Sequence, residues 1–141
     1  MLKEGGILLF NVWDRIEENP HAAISAAVFE GLFPADEEMR FRAPFEMHDP
    51  ALLRQLLAET DFREVQIETK RHQVDGVSAR TVAIGVIRGT PRSLLFEKRG
   101  VSLDDMVEKI TVALANIGGA DPYRGPAQAV VVQARRRAKV D

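Results

Sequence analysis

Residues 2–14 read LKEGGILLFNVWD, and the fold turns on what the middle of that stretch has to do. Gly5-Gly6 is a turn signal, and Ile7-Leu8-Leu9-Phe10-Asn11-Val12-Trp13 follows it without polar alternation. An unbroken apolar run of this kind predicts a strand covered on both faces, the habit of a parallel strand in an α/β sheet. Such strands normally arrive in mid-fold, after a helix has returned the chain to the end of the sheet where strands begin. Here the strand opens the chain.

Composition narrows the possibilities. The 141 residues are 45% hydrophobic, enough for one domain burying roughly 68–70% of its unfolded surface. Lys and Arg number 19 against 21 Asp and Glu; the net charge of −2 gives no basic footprint for nucleic acid or an anionic membrane. The absence of cysteine excludes disulfides, thiol nucleophiles and Cys-based zinc sites. Ile7 to Phe10 is too short an apolar run to span a membrane, and Lys3-Glu4-Gly5-Gly6 is no signal-peptide flank. These features predict a soluble, cytoplasmic protein. Arg135-Arg136-Arg137 reads as the start of a solvated tail over residues 135–141.

Working outward from the first strand, Asn19-Pro20 gives an N-cap and a first-turn proline, and Ile24, Ala27, Val28, Gly31 and Leu32 recur at helical spacing. Ala35 to Met47 mixes acids with Phe41 and Phe45 and reads as a long surface connection. His48-Asp49-Pro50 begins a second helix capped by Asp49, with Leu52, Leu53, Leu56 and Leu57 as its buried stripe and Thr60-Asp61-Phe62 as its end. Glu64 to Gln73 alternates Val65, Ile67 and Thr69 with charged residues, a strand with one wet face near a sheet edge.

Three helical segments are predicted from Ser78 to Ile117, starting at Ser78, at Thr90-Pro91 and at Ser102; Ser102 and Asp105 have capping-box spacing. Gly118-Gly119 closes the last of them, Asp121 to Pro126 is a turn-rich link, and Ala127 to Ala134 is a final apolar strand.

The motifs of common chemistries are missing. The chain contains no GxGxxG, no Walker-type GK[ST] and no G-x-S-x-G elbow. His21, His48 and His72 lack the i, i+4 spacing of metal-binding helices, so no metal site is expected. His48 reads either as a general base at a pocket mouth or as the residue before an Asp-Pro helix start. Asp14 ends the first strand, where open α/β sheets place ligand-contacting side chains. Trp13 reads as a pocket wall or as a core or interface residue. Arg88, Arg99 and Arg124 each stand near a glycine and read as partners of helix ends.

Taken in order, these segments resemble the carboxyl-terminal half of class I S-adenosylmethionine-dependent methyltransferases, the small-molecule and quinone-type branch in particular. LKEGGILLF is similar to the "leucine, lysine or arginine, proline, glycine, glycine" signature before the fifth strand, with Glu4 where the family prefers proline. HDPALLRQLLAETDFREVQIET resembles the helix ending in Ala-Gly-Phe and the sixth strand, with Asp61 where a left-handed glycine is usual. VIRGTPRSLLFEKRG, the helix after it and RGPAQAVVVQARR resemble a helical insertion and the antiparallel seventh strand. The resemblance runs from Leu2 to about Arg136.

It implies an α/β chain, α+β as a fragment, forming the C-terminal part of a Rossmann-like methyltransferase fold. The three-stranded mixed sheet is ordered first, third, second, with about five helices. Residues 1–141 would be a single partial domain, with residues 78–117 a helical cap within it. The Gly-rich cofactor loop and ribose-binding acid of the family lie upstream of the matched segments. The chain is therefore expected to bind no S-adenosylmethionine and to be inactive alone, with Met1 at an internal or misassigned start codon. Trp13, Asp14, Phe45 and His48 are the expected acceptor-side residues, and His48 the candidate catalytic base. The partners implied are a small-molecule methyl acceptor, apolar to judge from Val82, Ile84, Val86, Ile87, Leu94, Leu95 and Phe96, and a second copy of the chain. The first strand would expose an apolar edge from Ile7 to Trp13, and such edges invite homo-oligomers. The other reading is a non-catalytic dimeric α+β module that binds an apolar molecule or a partner subunit.

Overall fold

The computed structural model describes residues 2–40 and 42–137. Met1, Phe41 and residues 138–141, on which the start-codon reading, one aromatic of the 35–47 connection and most of the expected tail depend, lie outside the described residues.

The elements are β1 (Ile7–Trp13), α1 (Pro20–Leu32), α2 (Pro50–Ala58), β2 (Phe62–Val77), α3 (Ala79–Arg88), α4 (Arg92–Lys98), α5 (Leu103–Gly118) and β3 (Tyr123–Arg136). Short 3-10 turns occupy Ile16–Glu18, Glu37–Met39 and Ala43–His48. The protein is mixed α/β, and its three-stranded sheet has the expected order β1-β3-β2, but it is antiparallel rather than mixed, because the central last strand runs against both neighbours. The last strand is central, and β2 is at an edge as its wet face requires.

The chain divides into two compact units, Met1–Arg15 with Ala43–Arg71 and Gln128–Asp141, and Ile16–Arg42 with His72–Ala127. The core of the first is Leu53, Leu57, Val130, Val132 and Ala134, with Leu8, Phe10, Val12, Phe62, Val65 and Ile67 packed against them. These are alternate residues of β1, β2 and β3 meeting one stripe of α2, as period-2 strands and a 3.6-period helix require. Asp49 caps α2 as expected, its Oδ1 accepting from the Ala51 N–H at 2.8 Å. Of the four leucines expected to be buried on α2, Leu52 and Leu56 are outside the core, being 38% and 42% exposed.

β1 departs from its sequence pattern. Its two faces differ: Leu8, Phe10 and Val12 face the core, while Ile7 and Leu9 are 52% and 65% exposed and Trp13, 42% exposed, has Phe45 beside it. The registers Ile7↔Arg135 and Phe10↔Val132, and the Arg136 N–H donating to Gly6 O at 2.9 Å, carry the strand pairing past the expected end. Arg135 and Arg136 thus belong to β3 and not to the expected tail. The Glu64 backbone, at φ 52°, takes the left-handed conformation anticipated for Asp61, two residues inside β2.

The second unit is built on Phe29, Met39, Ala79, Ala83, Ile87, Phe96, Met106, Val107, Ile110, Leu114 and Tyr123. Ser78 and Ser102 cap α3 and α5 as their positions predict, accepting from Thr81 N–H at 3.1 Å and Asp105 N–H at 3.2 Å. Thr90 does not cap α4: its hydroxyl donates back to Val86 O at 3.0 Å, closing the end of α3, and Pro91 holds the cap position. The turn-rich link is shorter than expected because Tyr123 to Pro126 already belong to β3. Tyr123 explains the glycines around it. A Cβ on Gly118 would lie 2.4 Å from its ring, and one on Gly125 would lie 2.5 Å from its hydroxyl.

The aromatic centre of this unit is Phe96, whose ring lies 5.4 Å from that of Phe29 and 6.2 Å from that of Phe33. Arg92, 3% exposed, lays its guanidinium 4.5 Å over the Phe29 ring, and burial pulls its pKa down to about 9. It stays charged at neutral pH and is held there in a cation–π contact. Arg99 ties α4 to the 36–38 turn, its Nε donating to Asp36 at 2.5 Å and its Nη2 to Glu38 at 2.7 Å.

Candidate functional site

The four residues singled out for an acceptor site all belong to the first unit. Trp13 ends β1, and its ring centroid lies 6.1 Å from that of Phe45, with the planes tilted by 33°. Phe45 is 7% exposed because the 3-10 turn Ala43–His48 folds it inward against β1. The same turn brings His48 Nδ1 to 2.7 Å from Phe45 O. A carbonyl only accepts, so Nδ1 carries the hydrogen and Nε2 of the neutral ring keeps its lone pair. His48 therefore ends a turn of its own before α2, and its ring orientation is set by the backbone.

Asp14 is differently employed. Its Oδ1 accepts from the Arg15 N–H at 2.7 Å, its Oδ2 from Gln128 Nε2 at 2.8 Å, and its own N–H donates to Gln128 O at 3.1 Å. The carboxylate thus closes the end of the β1–β3 ladder and is 9% exposed. Trp13 and Phe45 form an aromatic pair, His48 is tied to the Phe45 backbone, and Asp14 secures the end of β1.

β1 passes to α1 through Asp14-Arg15-Ile16-Glu17-Glu18-Asn19, a segment without glycine whose 3-10 turn carries Glu17 and Glu18. Among the described residues no group of three His, Asp or Glu is placed to hold a metal ion, and no helix is long and apolar enough to cross a membrane.

The sequence reading missed a second feature, in the other unit. Ala27, Val28, Gly31 and Leu32 of α1 and Glu108, Lys109 and Val112 of α5 line a groove of about 540 Å³. Ala27, Val28, Gly31 and Leu32 are most of the stripe expected to bury α1. Of that stripe Ile24 and Val28 pack on the core beside the buried Ser25, Ala26 and Phe29, while Leu32 is left 43% exposed.

Apolar residues of the 78–117 segment divide similarly. Ile87 and Phe96 are fully buried, Val82, Val86 and Leu95 pack on the core, and Ile84 and Leu94 are 41% and 67% exposed. Core packing accounts for five of the seven. Compared with protein-family models and with curated proteins, the chain matches none.

Proposed function

We propose that this chain is the acceptor-side, carboxyl-terminal portion of an S-adenosylmethionine-dependent methyltransferase, inactive without a cofactor-binding part. The observation that carries the reading is the strand order β1-β3-β2, with the last strand central and antiparallel, as the resemblance requires of strands five, seven and six. It reads the sheet as the distal part of a Rossmann-like fold. In this reading the Trp13–Phe45 corner lies beside the acceptor. His48 Nε2 takes a proton from a hydroxyl or amine acceptor, provided that acceptor is within hydrogen-bond reach. Positioning of the acceptor supplies most of the catalysis.

The test is transfer from S-adenosylmethionine labelled in its methyl group. It is measured for this chain alone and for the chain joined to whatever its reading frame encodes upstream. Transfer by the longer protein only is the expected result. A longer protein that neither binds the cofactor nor transfers the label overturns the reading.

The bare face of β1 favours a second reading, a non-catalytic dimeric module. The Arg136 N–H donates to Gly6 O and the Asp14 N–H to Gln128 O, so the even-numbered residues of β1 direct their backbone groups at β3. Ile7, Leu9 and Asn11 direct theirs at the open edge. No charged residue interrupts Ile7–Trp13, so the edge lacks the usual guard against pairing with a second copy.

A further inference from the structure

We infer that the groove between α1 and α5 binds a small amphiphile with an apolar chain and a single anionic end, a carboxylate of the fatty-acid type. The groove walls are Ala27, Val28, Gly31 and Leu32 on one helix and Val112, 59% exposed, on the other. Leu32 and Val112 leave hydrocarbon in water along an open depression of about 540 Å³, and an apolar chain laid there removes that cost. Gly31 widens the groove, since a Cβ placed there meets nothing within 4 Å.

Charge selects the end group. Two charged side chains line the groove, Glu108 and Lys109. Glu108 is already neutralised, because its Oε1 accepts from Arg80 Nη1 of α3. Lys109 makes no ion pair among the described residues and stands exposed beside the apolar wall. One uncommitted ammonium at the edge of an apolar trough complements a carboxylate and repels a cation. The acid chain lies along Val112 and Leu32 while its head stays at the solvent edge, where an ammonium and a carboxylate pair with little loss of hydration. The groove takes this ligand whether or not the chain takes part in methyl transfer.

The experiment is amide chemical-shift mapping of the ¹⁵N-labelled chain titrated with octanoate, octanol and octylammonium. Octanoate is expected to shift Ala27, Gly31, Leu32 and Val112, with octanol binding several-fold more weakly and octylammonium weakest. Lys109→Gln is expected to weaken octanoate roughly fivefold, the scale of an exposed ion pair, and to leave octanol unchanged. Gly31→Leu fills the trough from an open position and should abolish binding of all three while the circular dichroism stays helical. Shifts confined to other surfaces, or octanoate and octanol binding equally in both the wild type and Lys109→Gln, would overturn the proposal. So would groove amides that shift with protein concentration alone, which would make a second copy the occupant.

Discussion

Replacing Leu9 by lysine tests the bare face of β1 without touching the core. Leu9 is 65% exposed, and its neighbours Leu8 and Phe10 carry the packing on the other face. Burying a leucine completely is worth about 1.5–3 kcal/mol, so covering the 65% still in water is worth about 1–2 kcal/mol. In a symmetric pair both copies gain, which makes about 2–4 kcal/mol, or roughly 30- to 700-fold in the dissociation constant. Lysine forfeits that gain and sets two like charges near one another. Sedimentation velocity over the micromolar range should show the wild type passing from monomer to dimer and Leu9→Lys remaining a monomer. The thermal midpoint of the variant at low concentration should match that of the wild type, because nothing buried has changed. A wild type that is monomeric throughout, or identical curves for the two proteins, would refute the assignment of β1 as a contact surface.

Other expectations concern the second unit. The Tyr123 hydroxyl is buried and makes no hydrogen bond among the described residues, so Tyr123→Phe should hold or raise stability by up to about 1 kcal/mol in urea unfolding; a loss of that size would contradict it. Gly125→Ala should cost about 1–3 kcal/mol, because its methyl lands 2.5 Å from that hydroxyl, and the cost should shrink in the Tyr123→Phe background. Burial pushes the pKa of His21 below its ordinary value, so the unfolded chain binds the proton first as pH falls. The stabilisation is intact above about pH 6.5 and is lost on acidification through the lowered pKa; thermal midpoints at pH 7.5 and 5.5 should therefore converge in His21→Gln relative to wild type.

The parts of the fold written in local chemistry were legible. Asp49, Ser78 and Ser102 announce their helices because a short acceptor side chain before an apolar stripe has one good use, the orphan amides of a first turn. The alternation of Val65 and Ile67 foretold an edge strand, and β2 is one. The bounds of β1 were legible, but the full lengths of β2 and β3 were not. Pro126 argues against a strand by its missing N–H, yet β3 runs through it from Tyr123, whose ring is locked between Gly118 and Gly125. That constraint is tertiary and leaves no local pattern.

The faces of β1 and α1 misled for a related reason. An apolar residue announces that it prefers cover, not that this chain supplies the cover. Leu9 and Leu32 are both left in the open, and each marks a surface where the account places a partner or a ligand. At the candidate acceptor site, the nearness of Trp13 to Phe45 depends on a 3-10 turn in a segment with no helical period. The tie between Asp14 and Gln128 joins residues 114 positions apart.

The most direct test of the methyltransferase reading is the DNA that precedes the Met1 codon, read in the same frame. The account predicts an open frame encoding an apolar strand, a glycine-rich loop and, after the next strand, an acid able to hold a ribose. A stop codon directly upstream, with a ribosome-binding site placed for Met1, would contradict it.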